Sequence, residues 1–236
     1  MRKIISILLL LGLCLAGCAK KETTPVQTTE TSTIVQETTL ATAPSKPVEV
    51  SSLAQEDFLD LDNASYPREN PVEFVMLHFT SAVMLDRENP FDYSLVRGIF
   101  EENKLGIHYI IDRDGKIFCF VPESRSAWHA GRGSYGEEKY TDNMNRYSIG
   151  IELMAIGSEA DMSIYMHPEE YAQLPNSVKG FTQAQYASLA SLVQDICARH
   201  ELPMNREHII GHQQYSPAKN DPGELFDWAQ FMTLLG

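Results

Sequence analysis

Ser148-Ile149-Gly150-Ile151-Glu152-Leu153-Met154 alternates small or acidic residues with apolar ones, the two-residue period of a β-strand with unlike faces. Read as a strand, Ile149, Ile151 and Leu153 pack one side, while Ser148, Gly150 and Glu152 share the other. A glutamate beside two small residues on a buried strand faces a cavity, where desolvation would raise its pKa toward a value useful for proton transfer. The alternative is a solvated glutamate on an open sheet face. Upstream, Phe74-Val75-Met76-Leu77 is a short apolar run closed by His78, consistent with a second buried strand. His108-Tyr109-Ile110-Ile111, the turn Asp114-Gly115 and Ile117-Phe118-Cys119-Phe120-Val121 read as a hairpin. Downstream, Phe181 to His200 is predicted helical. Thr182 and Gln185 make a capping box there, and Tyr186, Leu189, Val193, Ile196 and Cys197 fall on one face. Ile209-Ile210 is a short strand and Phe226 to Leu235 a closing helix. The mixture predicts an α/β domain with a central mixed β-sheet flanked by helices.

The chain has 236 residues, 43% hydrophobic and 22% charged, an ordinary globular composition. Its 19 basic and 32 acidic residues leave a formal charge of −13, which excludes a nucleic-acid partner because phosphates are neutralised by Lys and Arg. Arg2 and Lys3 precede an apolar run from Ile4 to Ala16, which is too short to span a bilayer and suits a secretory signal. It ends in Leu15-Ala16-Gly17-Cys18, which resembles a bacterial lipobox. Residues 1–17 are therefore expected to be a lipoprotein signal peptide, with Cys18 the lipidated residue. The mature chain would then carry about −15. Residues 18–55 follow as a tether: from residue 19 on they hold nine threonines and three prolines, with no glycine or aromatic residue. Such a segment cannot bury enough apolar surface to fold. The remaining residues, 56–236, form one domain, expected to be monomeric. Cys119 lies in a strand-like run and Cys197 on the apolar helix face, which predicts two separately buried thiols.

Three of the seven histidines have suggestive surroundings. His78 closes a buried strand, and His212 follows Gly211 directly after the strand pair Ile209-Ile210. His129 lies in Trp128-His129-Ala130-Gly131, an aromatic–imidazole pair beside a glycine. After His212 comes Pro217-Ala218-Lys219-Asn220-Asp221-Pro222-Gly223, whose prolines and glycine make it a fixed loop. Two histidines and one carboxylate are a recognised catalytic zinc set, with the fourth position left to water. His78, His212 and Asp221 would satisfy it, although no HExxH pattern supports them and Asp221 also reads as a turn residue before proline. Such a zinc needs a base, and Glu152 is the candidate.

Taken in order, Leu77-His78-Phe79-Thr80, His108 to Gly115, Ala127-Trp128-His129-Ala130-Gly131, Asn145 with Ser148 to Glu152, and Gly211-His212 with Lys219 to Gly223 form a specific series. The chain from about Phe74 to Trp228 resembles the type 2 N-acetylmuramoyl-L-alanine amidases, relatives of phage lysozyme-amidases and animal peptidoglycan recognition proteins. The resemblance implies zinc on His78, His212 and Asp221 at the sheet edge, with Glu152 as catalytic acidic residue and Lys219 as transition-state stabiliser. It also puts Trp128, His129 and Asn145 at the substrate groove. Two departures stand out. The loop between His212 and Lys219 is about one residue shorter and lacks a Gly-Arg pair. Ser158 to Gly180 reads as an insertion, a candidate wall of the groove.

The implied function is zinc-dependent hydrolysis of the amide between N-acetylmuramic acid and L-alanine in peptidoglycan or muropeptides. The implied location is the cell envelope, with the membrane reached only through the N-terminal lipid: the outer membrane in a two-membrane bacterium, otherwise the outer face of the plasma membrane. The competing readings are a peptidoglycan-binding module without catalysis and a zinc peptidase cutting within the stem peptide.

Overall fold

The structure, a computed structural model, describes residues 49–236. The expected signal peptide, Cys18 and the tether as far as residue 48 lie outside the described residues. The strands are β1 (Gln55–Glu56), β2 (Ser65–Pro67), β3 (Phe74–Thr80), β4 (Tyr109–Ile111), β5 (Ile117–Cys119), β6 (Arg125–Ala127), β7 (Ser148–Met154) and β8 (Ile209–Gly211). The α-helices are α1 (Leu61–Ala64), α2 (Tyr93–Asn103), α3 (Glu159–Met162), α4 (Pro168–Ala172), α5 (Gln183–His200), α6 (His212–Tyr215) and α7 (Trp228–Leu235). Six strands form one sheet in the order β1-β5-β4-β7-β3-β8, and β2 pairs with β6 in a separate ribbon. Only the β4–β5 hairpin is antiparallel in the large sheet. Its turn works because Gly115 adopts φ +83° while Asp112 Oδ1 accepts from the amides of Asp114 and Lys116.

The two-residue alternation of β7 is realised as expected. Ile149, Ile151 and Leu153 join Val75, Leu77, Tyr109 and Ile209 in a core covered by Tyr186, Leu189, Val193 and Ile196 of α5 and Phe231 and Leu235 of α7. The Thr182–Gln185 capping box is present at the start of α5. Parallel strands need crossover connections, and here α2 links β3 to β4 while α5 lies between β7 and β8. Helix α2 packs Val96 and Phe100 against Ile110, Phe118 and Phe120 on the opposite sheet face. The remainder of that face, around Met76 and Ile210, is covered by Ala130, Met144 and Tyr215. It is the face on which Ser148, Gly150, Glu152 and His78 project. Cys119 and Cys197 are both buried and free, as expected.

Beyond shifts of one or two residues at the hairpin and at the start of α5, four boundaries differ from the sequence reading. His78 does not close its strand, because β3 continues to Thr80. Phe226 lies before α7 and is buried in the core, while Asp227 caps the helix through the amide of Gln230. A short helix, α6, begins at His212 itself. The folded domain also starts before residue 56. Val50 and Ala54 pack against the main core, the Ser51 amide donates to Tyr109 Oη, and the Glu123 amide donates to the Glu49 carbonyl. Composition hid this because six or seven residues laid along an existing core edge need no apolar run of their own.

Removing residues 49–55 should therefore cost about 2 kcal/mol of lost apolar burial. A domain begun at Glu56 is expected to melt roughly 4–8 °C below one begun at Glu49, measured by thermal unfolding. Equal melting temperatures would show that the segment contributes no packing.

Candidate metal centre

The register of the parallel strands builds the site. Pairing of β3 with β7 sets His78 directly beside Glu152, so both project from neighbouring strands on one face. On the other side of β3, β8 ends with Gly211 beside Leu77, which delivers His212 next to His78. A side chain at Gly211 would meet the Pro222 ring at 2.7 Å, so glycine lets the following loop fold back onto the strand end. The Gln213 amide then donates to the Asp221 carbonyl and holds the return. As a result Asp221 Oδ2 stands 2.7 Å from His78 Nδ1 and 3.0 Å from His212 Nδ1. One ligand atom from each of the three residues lies within 4.8 Å of the other two, a spacing that fits a single metal ion.

Both histidines are only 3% exposed. Burial lowers the pKa of His78 to about 4, an effect that the neighbouring Asp221 only partly offsets, so the ring is neutral at neutral pH, as a metal ligand must be. Burial acts against ionisation of Asp221, yet its hydrogen bonds with His212 and His78 outweigh it and hold the carboxylate well below its usual range. Glu152 is the opposite case: burial, then the charge of Asp221, raise it well above the ordinary glutamate value. Its Oε2 is shielded from solvent and has no hydrogen-bond partner among the described residues. A buried, unpartnered carboxylate oxygen is costly to maintain, and beside three convergent candidate ligands it is placed for proton exchange. Lys219 lies exposed on the loop before Asp221, near enough for its charge to oppose the rise at Glu152.

The other expected site residues are distributed more widely. Trp128 is 43% exposed and packs at a tilt against Tyr66, ring centroids 4.4 Å apart, leaving an accessible aromatic surface. His129 is partly exposed and sits against His78. Its Nδ1 is 3.0 Å from His78 Nε2 and its Nε2 is 3.1 Å from Ser148 Oγ. Asn145 Oδ1 accepts from the amides of His129 and Ala130. The small-residue face of β7 is thus occupied by the His129 ring: a Cβ on Gly150 would lie 2.7 Å from its Nδ1. His108 is fully buried outside the cluster, where its Nδ1 accepts from the Gly150 amide.

The insertion forms helices α3 and α4 around a small core of Met162, Met166, Tyr171 and Leu174. It is clipped to the ligand loop by buried Asp161, whose carboxylate accepts from the amides of Ser158 and Glu224 and whose carbonyl accepts from Asn220 Nδ2. Burial raises the pKa of Tyr165, half-exposed beyond α3, and the nearby charges of Asp221 and Glu152 add to the rise. The insertion therefore borders the site, although Met166 and Tyr171 serve its own core. The Ser158–Asp161 spacing is that of a capping box, which forms at the start of α3, but nothing in residues 158–180 signals the contacts of Asp161 with Glu224 and Asn220.

A family profile described as N-acetylmuramoyl-L-alanine amidase matches residues 68–224. The chain belongs to this amidase family. It is 34% identical to the 1,6-anhydro-N-acetylmuramyl-L-alanine amidase AmpD of Citrobacter freundii over 134 residues, 56% of this chain and 58% of AmpD. It is 30% identical to the N-acetylmuramoyl-L-alanine amidase AmiD of Escherichia coli K12 over 176 residues, 71% of this chain and 53% of AmiD. The chain thus spans a little over half the length of these curated relatives. The crystal structure of a selenomethionine derivative of AmpD has the same fold, with a TM-score of 0.61 and 24% identity, covering 79% of this chain and 97% of that one. AmiD in complex with the substrate anhydro-N-acetylmuramic acid-L-Ala-D-γ-Glu-L-Lys gives a TM-score of 0.51 and 26% identity, covering 72% of this chain and 58% of AmiD.

The geometry separates ligand from base. Asp221→Ala removes the anion on which both histidines converge, so bound divalent metal should fall sharply after dialysis, measured by elemental analysis. Glu152→Gln touches no ligand atom and should keep its metal. The reverse pattern would mean that the two carboxylates have exchanged roles.

Proposed function

We propose that this protein is a zinc-dependent amidase that cleaves the bond between N-acetylmuramic acid and L-alanine in peptidoglycan fragments. The observation that carries this reading is Glu152, whose Oε2 is shielded from solvent and unpartnered among the described residues beside the His78–His212–Asp221 cluster. Two imidazoles and one carboxylate suit catalytic zinc, whose fourth position is left to water. When bound, zinc supplies Lewis acidity, making water acidic near neutral pH and polarising a carbonyl.

The chain's own residues supply the proton transfers. Glu152 accepts a proton from the attacking water, whose oxygen forms the new bond to the lactyl carbonyl carbon. The Lys219 ammonium stabilises negative charge gathering on the carbonyl oxygen. Glu152 returns the proton to the alanine nitrogen as the C–N bond breaks, so the peptide leaves as an amine and the glycan keeps a lactyl carboxylate. The raised pKa of Glu152 suits both halves of this task. Trp128 offers its exposed ring as a substrate surface beside the site.

All three ligand candidates and Glu152 are retained, which favours catalysis over a binding-only module. The names of AmpD and AmiD, and the muropeptide bound to AmiD, support a muramyl-peptide substrate over a cut within the stem peptide. We assign the protein to the cell envelope, held by a lipid on Cys18 and a Thr-rich tether, on the strength of the basic, apolar and Leu-Ala-Gly-Cys pattern at its N-terminus.

Mass spectrometry of digested muropeptides should show intact stem peptides with a free alanine amine and glycans ending in lactate. Glu152→Gln should slow this reaction by about 10²–10⁴-fold. Peptides cut internally would establish a peptidase instead, and binding without any product would establish a recognition module. Cys18→Ser should release the protein from membranes while turnover of soluble muropeptides stays unchanged. Continued membrane retention of the variant would refute the lipid anchor.

A further inference from the structure

We infer that Asp161 is a positioning residue for the candidate ligand Asp221: it grips the loop after α6 on both flanks of that ligand and so sets how tightly the cluster holds an ion. This inference rests on the zinc reading above, and it gives the 158–180 segment a part in the site without any contact to the ion.

The three candidate ligands are not held alike. His78 stands within β3 and His212 directly follows β8, so strand register fixes both backbones. Asp221 lies outside every helix and strand, and its place depends on what grips the loop. On the α6 side the Gln213 amide donates to the Asp221 carbonyl at 3.0 Å. On the other side the grip comes from Asp161. Asn220 Nδ2, one residue before the ligand, donates to the Asp161 carbonyl at 2.8 Å. The Glu224 amide, three residues after it, donates to Asp161 Oδ2 at 3.1 Å. That oxygen also accepts from the Ser158 amide at 2.9 Å, while Ser158 Oγ donates to Glu224 Oε2 at 3.1 Å. The approach is close enough to need glycine on both sides. A Cβ on Gly223 would collide with Asp161 Oδ2, and one on Gly157 would stand 2.7 Å from Asp161 Cβ. Gly223 also adopts φ +82°, which side chains with a Cβ avoid.

A clip positions a loop only if its own base is firm. The Arg113 guanidinium donates to the carbonyls of Met154, Ser177 and Gly180 at 3.2, 3.2 and 2.6 Å, which joins the end of β7 to the far end of the segment. Between these ends Met162, Met166, Tyr171 and Leu174 pack with Val83 and Ile156. Asp161 itself is only 3% exposed, so its bonds are sheltered from water. Outer partners that orient metal ligands are typically worth about 10–100-fold in metal affinity. Asp161 acts through the backbone on either side of the ligand, so the lower end of that range is expected.

Two readouts test this. In the zinc-free protein, hydrogen exchange at the Gln213 amide reports whether the Asp221 carbonyl stays in place, and Asp161→Ala should strip its protection. Competition with a chromophoric chelator reads zinc affinity, which Asp161→Ala should weaken about 10-fold. Asp161→Asn keeps an oxygen for both amides and should recover most of each loss. Tyr171→Phe removes the 2.9 Å bond from Tyr171 Oη to the Gly157 carbonyl, inside the segment and away from the ligand loop. It should lower the melting temperature while Gln213 exchange and zinc affinity stay at wild-type values. If Asp161→Ala does not fold, Asn220→Ala carries the same test, with smaller losses expected in both readouts. Wild-type zinc affinity or unchanged Gln213 exchange in the folded variant would overturn the inference. So would an equal loss of affinity in Tyr171→Phe, which would mean that general loosening of the segment is responsible. Asp221→Ala is the control that zinc occupies this site. If that variant binds zinc as tightly as wild type, the zinc reading fails, while hydrogen exchange still judges the grip on the loop.

Discussion

Asp221 Oδ2 is the point on which the site closes, because it meets His78 and His212 at 2.7 and 3.0 Å and draws together parts of the chain far apart in sequence. No local element could bring these groups together. The parallel register of β3 with β7 and β8 sets the bases of the two histidines side by side, and the loop from α6 must then return across Gly211 to supply the carboxylate. Each step is a close approach of backbone to backbone or ring to backbone, the kind of constraint that leaves no room for an added Cβ.

Burial gives this arrangement its chemical character. The same enclosed face keeps His78 neutral, leaves Asp221 charged through its two imidazole partners, and raises Glu152. Two carboxylates that feel each other's charge are thus pushed in opposite directions, one toward ligation and the other toward proton exchange. The insertion adds a second layer of control. Asp161 fastens α3 to the backbone at Glu224 and, through Asn220, to the residue preceding Asp221. The 158–180 segment is therefore tied to the loop that carries the candidate ligand Asp221.

Much of this was legible in the sequence because the signals were local. The alternation in 148–154, the Asp-Gly turn of the hairpin and the Thr182–Gln185 capping box each report backbone geometry within a few residues. The candidate ligands were legible because His78 lies on one apolar strand, His212 directly follows another, and Asp221 lies in a proline-fixed loop. What stayed hidden depended on tertiary neighbours. The small residues of β7 suggested a cavity, but only the fold shows that the ring of His129 fills it. Asn145 and Asp161 act on backbone amides, which leave no residue-type signature at the other end. Residues 49–55 pack on a core edge that the rest of the chain creates.

X-ray absorption spectroscopy of the zinc-loaded domain tests the central assignment most directly. The account predicts a four-coordinate ion with two imidazole nitrogens at about 2.0–2.1 Å and the remaining positions filled by oxygen at about 2.0–2.2 Å. A third imidazole, which would have to come from His129 or another histidine, or a thiolate sulfur near about 2.3 Å, would contradict it.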